Sequence, residues 1–220
     1  MQKDKKQYIL DSSIKIFNER GFEALNLHEL AALLNMSRGN LAYHYKDKDE
    51  LLKAIVEQMS EKIEADRASS RQFPSFENLH NEVQLYYKYQ KEYAFIFLNS
   101  NVMNHPNVIE HFREMTEKTI KANQSTMIYS MRSGNLKPEP IPGLYNNIAT
   151  TTWMLAFYWL SQQMIRGNMA TEDGEKMIWS LLVPHLTEKG LDKFKSYFGE
   201  KYLNSLGKPM EFEVIKNEVF

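Results

Sequence analysis

The sequence predicts an all-α protein, on three observations. Apolar residues recur at helical spacing in long segments broken by Pro, Gly and Ser. No segment of any length alternates apolar and polar residues as a half-buried strand would. Residues 26–48, reading NLHELAALLNMSRGNLAYHYKDK, have the layout of two short helices joined by a tight turn. The predicted organisation is an N-terminal three-helix domain over residues 1–48 that contains this helix-turn-helix, and a larger helical domain over 49–206. A tail over 207–220 alternates too weakly for assignment.

A first helix is expected over residues 5–20, closed by Gly21-Phe22. Asn26 then caps the second, with Glu29 completing an asparagine form of the capping box. Leu30, Ala31 and Leu34 share one face of that helix. Asn35-Met36 is the turn, where Asn tolerates left-handed backbone and Met36 fills the gap between helices. Ser37 caps the third helix, whose Leu41 and Tyr45 turn to the core while Arg38, Gly39, Asn40, Tyr43 and His44 face outwards. A short helix with a polar N-terminal end fits the DNA major groove.

Further helices are expected over 49–68, 75–99, 105–133, 144–166, 172–189 and 191–205. The run from Ser69 to Pro74 breaks the first pair. Pro138, Pro140 and Pro142 stiffen a loop that cannot be helical throughout, and Gly167 and Gly190 lie near later breaks.

The same N-terminal residues carry a family resemblance. Leu30-Ala31, Ser37, Gly39, Leu41, His44, Tyr45, Lys48 and Leu51 stand at the offsets of the N-terminal domain of the tetracycline-repressor (TetR) family, which this stretch resembles. Ala42 replaces the usual Tyr and Leu27 a common Thr, so phosphate contact falls to Tyr43 or Lys46. The resemblance implies a homodimeric transcription regulator, most often a repressor, that binds a palindromic double-stranded DNA operator and is released by a small-molecule effector. Arg38, Gly39 and Asn40 are then the candidates for base edges. Ser37, Tyr43, His44 and Lys48 are the candidates for phosphates, with His28 and Lys46 beside them.

In the larger domain, aromatic and methionine side chains mix with hydroxyls and amides. Phe112, Met115, Thr116, Thr119, Asn123, Tyr129, Trp153 and Phe157 are the expected lining of an effector pocket for an apolar or amphipathic molecule. The helix containing WMLAFYWL is apolar on nearly all sides, so one face packs on its own core and another on something else. Leu155, Trp159, Ile178, Leu181 and Leu182 are the expected dimer interface, which the resemblance places on the last two long helices.

Composition excludes several classes. With 220 residues, 43% of them hydrophobic, the chain is long enough for a real core. The formal net charge of −1 gives no global attraction to nucleic acid, and residues 1–48 hold only eight Lys/Arg against six Asp/Glu. DNA affinity must then come from a local surface and from dimerisation. The absence of cysteine excludes disulfides and thiolate metal sites and suits a cytoplasmic location. No signal peptide is expected, and the longest apolar stretch is far short of the ~20 residues that span a bilayer, so no membrane partner is expected. His28-Glu29 starts an HExxH pattern, but Ala32 stands where the second His would be. His105, Glu110 and His111 lie close in sequence, but His105 precedes a proline at a helix start and no third ligand is indicated. No phosphate loop or nucleophile elbow occurs, so neither an enzyme, a metal nor a cofactor is expected. A lipid or small-molecule carrier on the same frame is the alternative function, and it would have no use for the polar set around Arg38.

Overall fold

The structure, a computed structural model, describes residues 2–68, 74–167 and 172–209. Helices α1 (Gln2–Arg20), α2 (Leu27–Leu33) and α3 (Arg38–His44) form the N-terminal head, and α4 (Lys48–Ala68) leads out of it. The larger part comprises α5 (Phe76–Glu92), α6 (Ala94–Phe97), α7 (Ser100–Met103), α8 (Pro106–Arg132), α9 (Leu144–Arg166) and α10 (Gly174–Leu182). A 3₁₀ turn (Val183–His185), α11 (Glu188–Phe198) and α12 (Glu200–Leu203) complete it. Among the described residues no strand occurs; Leu136 and Leu186 form an isolated antiparallel bridge. The expected tail lies mostly outside the described residues, as does the break at 69–73.

Caps fix where these helices begin. Ser75 Oγ accepts from Asn78 N at 3.1 Å, Asp173 Oδ1 from Glu175 N at 2.9 Å, and Thr187 Oγ1 from Gly190 N at 3.1 Å. Helix α8 starts with Pro106 in its first turn, where a missing N–H costs nothing, and His105 Nδ1 accepts from Asn107 N at 3.2 Å. The apolar stripes then bury: Ile9, Ile14 and Phe17 of α1 close on Leu30, Leu41, Leu51 and Ile55, and one hydrophobic cluster runs from the head into the larger part. Helix α8 packs along α9 and α4, and α5 packs on α9.

Three expected helices are interrupted. The one over 191–205 starts earlier, at Glu188, and breaks at Gly199 (φ 85°, ψ 156°) between α11 and α12. The one over 75–99 breaks at Tyr93 (φ −113°, ψ 38°), where the N–H of Phe95 bonds to Asn18 Oδ1 of α1 at 2.9 Å instead of continuing the helical ladder. The one over 172–189 ends at Leu182, because Pro184 has no N–H to donate. The chain then crosses to the 135–137 segment, with Lys137 N bonded to His185 O at 2.9 Å and Thr187 N to Asn135 O at 3.0 Å. Gly190 marks no break: it lies inside α11, where an added Cβ would stand 2.1 Å from the Asn135 carbonyl oxygen.

Candidate functional site

The head builds its reading face from the caps upward. Asn26 Oδ1 accepts from His28 N at 2.9 Å and Glu29 N at 3.0 Å, while Glu29 Oε2 accepts from Asn26 N at 2.8 Å, which is the expected capping box. Asn35 takes the left-handed conformation (φ 54°) the turn requires. Ser37 Oγ accepts from Asn40 N at 3.2 Å and starts α3. Leu41 and Tyr45 are buried, as their spacing implies.

The outward set is mostly as expected. His28, Ser37, Arg38, Gly39, Tyr43 and Lys46 are exposed, Tyr43 at 73%, and Asn40 is half-buried. Arg38, Lys46 and Lys48 line one surface cleft together with Asn26, Leu27 and Glu29.

Two expected phosphate ligands sit differently. His44 is only 7% exposed and does not face outwards: at the end of α3 its ring turns inward, edge-on to Tyr43 at 5.2 Å. Lys48 is half-buried. Its Nζ donates to the carbonyls of Phe22 and Leu25, each at 2.6 Å, and lies 4.2 Å from the centre of the Phe22 ring. Burial lowers its pKa, against the raising effect of Asp49, Glu23 and Glu29. Lys48 therefore clamps the α1–α2 loop onto the start of α4, a role that spacing alone could not reveal.

In the larger domain the expected pocket residues are largely spent on packing. Phe112 and Phe157 meet edge to face at 5.5 Å, and both contact Phe97, at 5.2 and 5.6 Å. Trp153 lies over Phe157 at 5.4 Å. Thr119 Oγ1 is held by Tyr86 Oη at 2.8 Å, and Asn123 Nδ2 donates to Ala149 O at 3.2 Å, tying α8 to α9. Tyr129 is exposed and Thr116 half-buried. Met115 borders a void of about 10 Å³, room for one water. A cavity of about 160 Å³ lies instead among α5, α8, α10 and α11, and none of the eight expected residues lines it.

Sequence reading also missed a buried cation. Arg67, 6% exposed, ends the apolar stripe of Ile55, Met59 and Ile63 on α4. It pairs with Glu82 Oε1 at 2.5 Å and reaches Tyr86 Oη at 3.3 Å and Thr119 Oγ1 at 3.5 Å. Burial opposes its charge, but Tyr86 and Glu82 more than offset that, and its pKa is raised. A polar residue continuing an apolar stripe was the available signal.

Of the expected interface residues, Trp159, Ile178 and Leu182 are buried within the protomer, because their face of each helix packs on the core. Leu155 and Leu181 stay half-exposed. The outward stripe on α9 is Met154, Tyr158 and Ile165, the last 85% exposed, and Met177 is exposed on α10. Among the described residues no helix is long and apolar enough to cross a membrane, and no group of three or more His, Cys, Asp or Glu could hold a metal.

The family model described as bacterial regulatory proteins, tetR family, matches residues 9–55, and that described as bacterial transcriptional repressor matches 44–194. The chain is 26% identical over 145 residues to an uncharacterised HTH-type transcriptional regulator, YhgD of Bacillus subtilis (strain 168), covering 63% of this chain and 75% of YhgD. In fold it is similar to a TetR-family regulator from Marinobacter aquaeolei VT8, with TM-score 0.75 and 21% identity over 90% of this chain and 98% of that one. It is similar too to AibR solved with isovaleryl coenzyme A and operator DNA, with TM-score 0.56 and 16% identity over 70% and 84% of the two chains. Regulators of this kind bind operator DNA and small effectors and are not enzymes. The head, its helix-turn-helix and the helical domain behind it thus agree with matches spanning most of the sequence, and the chain belongs to the TetR family of bacterial transcription regulators.

Proposed function

We propose that this chain is a cytoplasmic, ligand-responsive repressor that binds a palindromic operator as a homodimer. The observation that carries the reading is the outward face of α3, where Arg38 and Gly39 are exposed beside half-buried Asn40 and a cleft shared with Lys46. A guanidinium pairs with guanine, an amide with adenine, and a glycine lets the backbone approach. A carrier without DNA binding would gain nothing from this polar face. The exposed apolar stripe of Met154, Tyr158 and Ile165 supports a second copy as the partner of α9, and two-fold recognition needs one, with half-sites about 34–36 Å apart.

Contacts that α7, α8 and the residue before α8 make with the head and with the start of α4 supply a route for control. Asn107 Nδ2 at the start of α8 donates to Asp49 O at 3.1 Å, and His105 Nε2 lies 3.4 Å from Asp49 Oδ1. Glu23 accepts from Asn99 at 3.2 Å and Asn101 at 3.1 Å. An effector that prefers an arrangement with the heads badly spaced lowers operator affinity by its differential binding. Selection of operator fragments from random duplexes tests the reading: an enriched palindrome bound by a dimer is expected, and no enrichment over bulk DNA overturns it.

A further inference from the structure

Gln90 lies on α5, is 1% exposed, and is built into another helix. Its Nε2 donates to Ala156 O, and its Oε1 accepts from Leu160 N at 3.1 Å. Those two α9 groups are the natural partners of one rung of the helical ladder, a carbonyl and the N–H four residues on. The amide bridges that rung, and a side chain inserted in this way is one of the few causes of a sharp helix bend, of more than ~20°. Ala156 is buried, so the rung faces the core, and spreading it lengthens α9 on its inner side. Both ends of the helix are then tipped outwards, opposite to the usual curvature of a helix around its core. A leucine of similar size at position 90 leaves α9 its own bond at little polar cost, so packing alone has no need of the amide.

The rung divides the outward stripe of α9. Met154 precedes it, Met164 and Ile165 follow it, and exposed Tyr158 sits between its two residues. Gln90 is also close to the head. Two residues on, the carbonyl of Glu92 accepts from Asn18 Nδ2 of α1 at 2.8 Å, and Asn18 Oδ1 accepts from Phe95 N at 2.9 Å. Ser161 Oγ, next to the rung, donates to Phe97 O at 3.3 Å, so both helices that Asn18 holds, α5 and α6, are tied to α9 at this place.

We propose that Gln90 is a positioning residue that sets the spacing of the two operator half-sites, through the angle at which it holds the two halves of α9. The proposal rests on the homodimer reading above, in which the stripe on α9 meets a second copy. Half of this 23-residue helix is about 17 Å long at ~1.5 Å per residue, so a bend of about 20° displaces an end by about 6 Å. Base pairs rise by ~3.4 Å each, so a displacement of that size re-sets the heads by about one or two base pairs.

The test is a spacing scan. Affinities of the full chain for its selected palindrome are measured with the half-sites moved apart or together one base pair at a time, for the wild type, Gln90→Leu and Gln90→Met. Circular dichroism and sedimentation run alongside. Both variants remove donor and acceptor together, so Leu160 N–H returns to Ala156 O and folded dimers are expected. Their best spacing should shift by about one or two base pairs, with affinity lost at the wild-type spacing and recovered at the new one. A merely structural role weakens all spacings alike, and an unchanged optimum overturns the proposal. Should both apolar variants fail to fold, Gln90→Asn, whose amide is one methylene too short to span the rung, takes the same scan with the same expectation. A wild-type chain that selects no palindrome or stays monomeric overturns the homodimer reading, and this proposal with it. A wild-type palindrome whose best spacing no variant moves overturns this proposal alone.

Discussion

Phe95 donates its backbone N–H to Asn18 Oδ1 at 2.9 Å, and Asn18 Nδ2 donates in turn to the carbonyl of Glu92 at 2.8 Å. One side chain of α1 thus closes the open end of α5 and seats α6, whose Phe95 ring lies 5.3 Å from Phe17 and 6.3 Å from Phe22. Asn18→Ala leaves a partly buried N–H without a partner and should cost about 1–3 kcal/mol. Urea unfolding measures the loss. Hydrogen exchange should show the amides of 92–97 opening before the rest of the chain, and unchanged protection there would mean the tether is idle.

The pair of buried Arg67 and half-buried Glu82 makes an asymmetric prediction. Arg67→Met removes the cation and leaves the half-buried carboxylate without its partner, while the Tyr86 and Thr119 hydroxyls keep only their bond to each other, at about 1–3 kcal/mol. Arg67→Met with Glu82→Leu should recover much of that, since an apolar pair of similar volume avoids both desolvation costs. Chemical denaturation of the two variants decides it; a double variant no better than the single one would show that the hydroxyls, not the carboxylate, carry the cost.

Charge placed on α9 and α10 should have two different outcomes. Leu155→Glu or Leu181→Glu puts a charge on a half-exposed position, and a folded monomer with weakened DNA binding is expected. Ile178→Glu, fully buried in the protomer, should unfold the chain instead. Sedimentation and circular dichroism separate the two. Dimers persisting in Leu155→Glu and Leu181→Glu would move the interface off these helices.

Burial raises the phenol pKa of Tyr86, Tyr87 and Tyr93; nearby carboxylates, Asp173 and Glu175 for Tyr87 and Glu92 for Tyr93, add to the rise. Unfolded phenols ionise near pH ~10. Above that pH the unfolded state binds fewer protons than the folded one, so stability, fully present below ~10, falls as pH rises toward the folded values. Lys48 acts oppositely, its pKa lowered by burial, but it is one group against three. Unfolding midpoints from pH 8 to 11 should drop at the alkaline end, and a further step of tyrosinate absorbance, from the buried phenols, should accompany unfolding. Tyrosinate absorbance from these residues in the folded protein would contradict it.

How far the sequence could be read depended on the range of the interactions involved. Caps and periodicity are local, so the helix-turn-helix, the bounds 144–166 of α9 and the burial of Leu41 and Tyr45 were all legible. The break at Tyr93 was not, because the acceptor that takes Phe95 N–H comes from Asn18, far away in sequence. The pocket expectation went wrong for a related reason. A stripe of Phe112, Met115 and Phe157 looks the same whether the rings interlock or stand apart, and here they interlock. His44 and Lys48 were read from their places in a motif, which give the residue but not the direction of its side chain.

On the reading face, Arg38 and Asn40 should differ from Lys46 in what their loss does. Arg38→Ala and Asn40→Ala each remove a proposed base-edge contact, and preference for operator over random duplex should shrink by about 1–3 kcal/mol per contact. Lys46→Ala removes a charge beside the phosphates, so both duplexes should weaken alike and the slope of log affinity against log salt should flatten by about one. Lys48→Met should behave as neither, because its ammonium is engaged by the carbonyls of Phe22 and Leu25: a lower melting temperature is expected before any salt effect. Titrations of operator and random duplex over a salt series, with thermal unfolding beside them, separate the three classes. Equal losses on both duplexes for Arg38→Ala would remove it from the specificity set, and a flattened salt slope with unchanged stability for Lys48→Met would return that lysine to the phosphates.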